Sequence, residues 1–163
     1  MKKLIILISI LILFLSVTTA SAGFFGFGTI ECEQFSIDIP SGFSETEGWI
    51  DMHEKPKDYV YVGTGIPNNG ETHRILEVRE LTSNNDARIN GTIVVENYTA
   101  DNLLLQKCQG QEYNSNKNYT YVEFDKDGHH YAITITWDNN IEKLNLSDDV
   151  ELVKKVIDST KHK

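Results

Sequence analysis

The chain is short of the residues that announce most chemistries. Its 163 residues include only two cysteines, three prolines and two tryptophans. Neither Cys32 nor Cys108 belongs to a C-x-x-C or has a histidine beside it, so nothing points to a redox dithiol or a thiolate metal site. No G-x-S-x-G or S-x-x-K is present, which removes the familiar serine-nucleophile motifs. Gly63-Thr64-Gly65 lacks the rest of a phosphate-binding fingerprint. Positive charge is scarce: 15 Lys and Arg stand against 24 Asp and Glu, a net charge of −9. Such a surface repels phosphate backbones and anionic membranes, and no basic stripe offsets it. Nucleic acid is therefore excluded as a partner, while divalent ions and basic proteins or peptides remain. There is no internal repeat and no Pro-rich or Gly/Ser-rich linker, which argues for one domain.

The one long apolar run comes first. Lys2 and Lys3 precede Leu4 to Val17, interrupted only by Ser9 and Ser16, and Ala20-Ser21-Ala22 follows. This is the tripartite pattern of a secretory signal peptide over residues 1–22, with cleavage between Ala22 and Gly23. The run falls short of the roughly 20 residues that span a bilayer. An uncleaved leader would instead act as an N-terminal anchor, the only route to a membrane that the sequence offers. Export places residues 23–163, as a single secreted domain with an ordered core over about 29–160, at the cell surface or beyond. Loss of Lys2 and Lys3 takes the charge to −11. In an oxidising compartment an even cysteine count predicts a disulfide between Cys32 and Cys108. Four glycosylation acceptor sequons begin at Asn90, Asn97, Asn118 and Asn145. Their positions at loop or strand ends are compatible with exposure.

Apolar periodicity organises the remainder. Thr29 to Ile39 reads as a first strand, with Phe35, Ile37 and Ile39 on its inner face. Residues 43–58 read as irregular, anchored by Trp49 and Ile50. Tyr59 to Val62, Thr72 to Leu81 and Thr92 to Glu96 follow as strands, with a turn at Pro67-Asn68-Asn69-Gly70. From Thr99 the spacing Ala100, Leu104, Cys108 predicts a helix that Gly110 stops. Tyr119 to Phe124 and His129 to Trp137 alternate around Asp125-Lys126-Asp127-Gly128. A four-residue loop would set Phe124 opposite His129 and Glu123 opposite His130. Val122, Phe124, Tyr131, Ile133, Ile135 and Trp137 then share the core face. Ser147 is placed to cap a last helix whose stripe is Val150, Val153, Val156 and Ile157. The expected fold is α+β, an antiparallel sheet of about six strands flanked by helices.

Phe35-Ser36-Ile37-Asp38-Ile39-Pro40-Ser41-Gly42-Phe43 resembles the strand-then-Pro-x-Gly opening of PsbP-like (PsbP/Mog1-fold) domains, and the closing strand and helix, Tyr131 to Trp137 and then Val156-Ile157-Asp158-Ser159, are similar too. The resemblance implies an antiparallel sheet with flanking helices, acting as an accessory or binding module without catalysis, and carries no functional residue onto this chain.

Candidate chemistry is thin. Glu123, Asp125, Asp127 and His130 are the candidate metal ligands, and Glu123 to Gly128 echoes the first half of an EF-hand loop. Thr134 stands where that loop needs its bidentate Glu. His129 and His130 point to opposite faces of a strand. His53, His73 and His162 have no ligand spacing and read as surface residues. No catalytic residue and no cofactor is assigned. The function expected is an exported, non-enzymatic binding or accessory module for a surface protein or carbohydrate, with an excess of aromatics in Trp49, Tyr59, Tyr61, Tyr98, Tyr113 and Tyr119. The alternatives are a metal-assisted hydrolase built on Glu123, Asp125, Asp127 and His130, and a structural envelope protein held by its uncleaved N-terminus.

Overall fold

The computed structural model of the chain describes residues 28–45, 56–64, 74–82, 88, 91–112, 115–137 and 144–163. The expected signal peptide at 1–22 and expected turn at 67–70, with Trp49, Ile50, His53, His73, Asn90 and Tyr113, lie outside them, as does the side chain of Trp137. Ten strands and one helix follow in order: β1 (Thr29–Glu31), β2 (Phe35–Asp38), β3 (Phe43–Glu45), β4 (Tyr59–Thr64), β5 (Ile75–Glu80), β6 (Ile93–Ala100), β7 (Leu103–Glu112), β8 (Ser115–Lys126), β9 (His129–Trp137), α1 (Leu146–Ser159) and β10 (Lys161–His162). They make a seven-stranded antiparallel sheet, β3-β4-β5-β9-β8-β7-β6, and a three-stranded sheet, β1-β2-β10. No helix among the described residues is long and apolar enough to cross a membrane.

The expected sheet flanked by helices is not the fold found. The described residues are mostly strand, and α1 is their only helix. The helix expected from Thr99 to Gly110 is instead the β6–β7 hairpin. Asp101 and Asn102, both at positive φ (51° and 65°), make its tight turn. Two such residues in succession suit the primed turns that join twisted strands. Cβ positions i, i+4 and i+8 share one strand face as well as one helix face, so the spacing could not discriminate. The presumed first strand is likewise a hairpin, β1 and β2 folding back at Cys32 to Gln34.

One face of the large sheet carries the main core. Val60, Val62, Leu76, Val78, Ile133 and Ile135 are buried there, under the small sheet and the Val150, Val153 and Val156 stripe of α1. Ile157 is partly buried against the same core. Asn145, not Ser147, caps the helix: its side-chain oxygen accepts from the Ser147 backbone N–H at 3.3 Å. The last turn of α1 has no basic residue of its own. Lys126, at the end of β8, supplies the cation, donating to the Ile157 and Asp158 carbonyls at 2.5 and 2.7 Å.

The expected disulfide is also absent. Cys32 and Cys108 are both buried free thiols. Cys32 lies in the β1–β2 turn within the main core, its thiol 3.4 Å from the Phe35 N–H. Cys108 packs with Tyr119, Tyr121 and Ala132 in a second cluster, on the opposite face of the large sheet. A bridge needs Cα atoms within about 7 Å, and the sheet stands between the two residues. Burial pushes both thiols above their ordinary range. Two thiols should therefore titrate only after unfolding, and reductant should leave Tm unchanged. Because the folded pKa values are raised, their contribution to stability is fully present below the unfolded thiol pKa. It is lost as pH rises from there through the folded values, so alkaline denaturation curves check the same point.

Candidate functional site

The β8–β9 hairpin turns more tightly than expected. Its turn is Asp127-Gly128, both at positive φ (54° and 84°), and the pairs are Lys126↔His129, Asp125↔His130 and Phe124↔Tyr131. The register differs by two from the expected one, so parity survives. Val122, Phe124, Tyr131, Ile133 and Ile135 do share the core face. Position 5 of the EF-hand echo is thus consumed by a turn residue, Asp127.

Glu123, Asp125 and His130 are brought together on the opposite face, all exposed. His130 Nδ1 is 2.7 Å from Asp125 Oδ1, and its Nε2 is 3.4 Å from Glu123 Oε2. The imidazole therefore stands between the carboxylates and turns a different nitrogen to each, so one ion cannot take both carboxylates and a nitrogen. Glu123 is further engaged by the Tyr121 hydroxyl, which donates at 2.7 Å, and by Arg88 at 3.6 Å.

A second titratable group forms where the two sheets meet, and the sequence reading passed over it. Glu80 ends β5 on the same parity as Leu76 and Val78, and is buried. His129 opens β9 on the parity of Tyr131 and Ile133, and β10 brings His162 alongside. His129 Nδ1 lies 2.8 Å from Glu80 Oε1, and His162 Nε2 lies 3.8 Å from Glu80 Oε2. The two imidazoles stack with centroids 3.5 Å apart. Ligand atoms of all three residues fall within 4.8 Å of one another. Tyr131, directly opposite Glu80 in the ladder, has a buried hydroxyl that meets no hydrogen-bond partner among the described residues. Burial, then Glu80, Asp127 and Cys32, push its phenol up to about 12. A charged residue and a histidine on core-facing parity were visible signals. His162, on a two-residue strand, gave none.

The third feature is an edge. β6 closes one end of the large sheet, and Ile93 to Thr99 are all exposed. Ile93, Val94 and Val95 are 58%, 42% and 53% exposed, and Tyr98 and Leu104 lie in the same hairpin. The strand's only charge is Glu96, and a bulge falls between Val94 and Glu96. Of the expected surplus aromatics, Tyr98 is exposed here, Tyr59 and Tyr61 stack half-buried on β4, and Tyr119 is buried. Among the sequons, Asn97 and Asn145 are exposed, whereas Asn118 is 2% exposed and accepts from Gln109 at 3.3 Å. No family model and no curated protein matches the chain.

Proposed function

We propose that the protein is an exported, non-enzymatic binding module that takes an extended, cationic segment of a surface protein along β6. The observation that carries this is the long, exposed and apolar edge. Strand edges are normally blunted by Lys, Pro or short length. β6 has eight residues, no Lys and no Pro, and only a bulge to interrupt it. An added strand gains main-chain hydrogen bonds, and alternate side chains give selectivity. The acidic excess of the chain, −9 overall, favours a basic segment over a second copy of the same chain. The PsbP-like resemblance contributes its accessory role alone, since only one helix, α1, is found among the described residues where it implies several.

The test uses two synthetic decapeptides, alternating Lys/Val and alternating Glu/Val, read by fluorescence anisotropy and by hydrogen exchange over residues 93–100. The Lys/Val peptide should bind, protect those amides and weaken with salt. Val94→Lys with Tyr98→Lys should reduce its affinity tenfold or more while leaving Tm nearly unchanged, because both positions are exposed. Equal binding of the two peptides, or protection of β6 in a concentration-dependent dimer without peptide, would overturn the proposal.

A further inference from the structure

We propose that Glu80, His129 and His162 form a binding site for a divalent transition metal of the zinc class. This goes beyond the β6 reading and is independent of it. The donor set is two imidazoles and one carboxylate, the ligands that borderline cations such as zinc prefer. The spacing fits as well. With metal–ligand bonds of about 2.0–2.2 Å, the nitrogen–oxygen edge of a tetrahedral site is about 3.3 Å. His129 Nδ1 is 2.8 Å from one Glu80 oxygen and His162 Nε2 is 3.8 Å from the other, and one ligand atom of each residue lies within 4.8 Å of the other two.

Orientation is already set for one ligand. His162 Nδ1 lies 2.9 Å from a main-chain oxygen of Lys163. Such an oxygen can only accept, so Nδ1 carries a proton, which leaves Nε2 as the ring's ligand atom on the Glu80 side. A hydrogen bond to the far nitrogen is how metal-binding histidines are usually held. Each Glu80 oxygen faces a different histidine, and the stacked rings present their nitrogens side by side to that carboxylate. The carboxylate is buried, while the His129 and His162 side chains are 35% and 27% exposed, which leaves a path for an ion and a free coordination position beside them.

The metal would also bridge elements distant in sequence. Glu80 and His129 belong to the large sheet and His162 to the small one, so occupancy fastens the two sheets together. Binding to the folded state alone raises Tm by mass action.

The experiment is zinc titration of the full chain by calorimetry and thermal melting, with cobalt(II) as an absorption probe. One ion per chain, a Tm rise of several degrees with micromolar zinc, and the visible bands of a four-coordinate cobalt site are expected. His162→Ala removes a ligand from a half-exposed terminal strand without opening the core, and should weaken zinc at least tenfold and abolish the bands. Glu80→Gln should do the same, and if that buried variant fails to fold, His162→Ala still decides. His130→Ala, in the exposed cluster, should bind as the parent does. Zinc affinity unchanged in His162→Ala, loss of binding in His130→Ala instead, or no saturable binding would each overturn the proposal.

Discussion

Arg74→Ala should destabilise the fold by about 3–5 kcal/mol, because it strands a buried carboxylate. Asp149 sits in the first turn of α1, where its charge complements the helix dipole, but its side chain is fully buried. It is held from two strands. Arg74, just before β5, forms an ion pair with Asp149 Oδ1, and the Thr120 hydroxyl on β8 donates to Oδ2 at 2.6 Å. Removing the guanidinium leaves a buried negative charge without its cation, facing the neutral Thr120 hydroxyl, whereas removing both charges relieves the problem. The double variant Arg74→Met, Asp149→Leu should therefore lose much less than Arg74→Ala alone. Urea unfolding of the three proteins measures this. Additive losses would show that desolvation of Asp149 is not the dominant cost.

A comparable loss, about 3–5 kcal/mol, is expected for Phe35→Ala. Phe35 is fully buried on β2 and meets Tyr131 edge-on, with centroids 5.3 Å apart and planes at 74°. Tyr131 in turn stacks on Phe124 at 5.2 Å. These three rings join the small sheet to the large one, so the truncation opens a cavity at the junction and also discards aromatic contacts. Whole-domain stability is typically 5–15 kcal/mol, and one such cavity removes a large share of it. Phe35→Leu keeps most of the apolar volume and should cost less. Near-UV circular dichroism and urea midpoints report both, and equal losses for Ala and Leu would mean that volume is not what the site requires.

Face parity was what the sequence carried most clearly. Phe35 and Ile37 on β2, Val122 and Phe124 on β8, Tyr131, Ile133 and Ile135 on β9 and the valine stripe of α1 do face the core, because a period-2 or 3.6-residue stripe survives errors in loop length, whereas Tyr119, expected as a surplus aromatic, is buried on the other face of β8. The β8–β9 register slipped by two residues without moving a side chain to the wrong face. Residues 99–110 failed for a definite reason: the Ala100, Leu104, Cys108 spacing fits either period, but the turn at Asp101-Asn102, a weaker signal than Asn-Gly, sets Ala100 opposite Leu103 and so on the other face from Leu104 and Cys108. That error placed Cys108 on an inward helix stripe and suggested a bridge that the sheet prevents. Strands of two or three residues, β1, β3 and β10, are too short to show a period at all. The same brevity hid His162, while Glu80 and His129 were legible as polar residues on apolar stripes.

The pairing of β10 with β2 sets an order of events as well as a contact. β6, β7, β8 and β9 form a meander of adjacent hairpins, whose contacts are local and quick to close. β10 instead reaches a partner more than a hundred positions earlier: Lys163 Nζ donates to the Cys32 carbonyl at 2.8 Å, a sequence separation of 131. Closing that loop costs entropy before any contact repays it. The meander is thus the natural nucleus and the small sheet the late step. Substitutions in β10 should leave the refolding rate almost untouched and appear as faster unfolding. The cluster of Glu80, His129 and His162, which β10 completes, would then be the last part of the molecule to acquire its shape and the first to lose it.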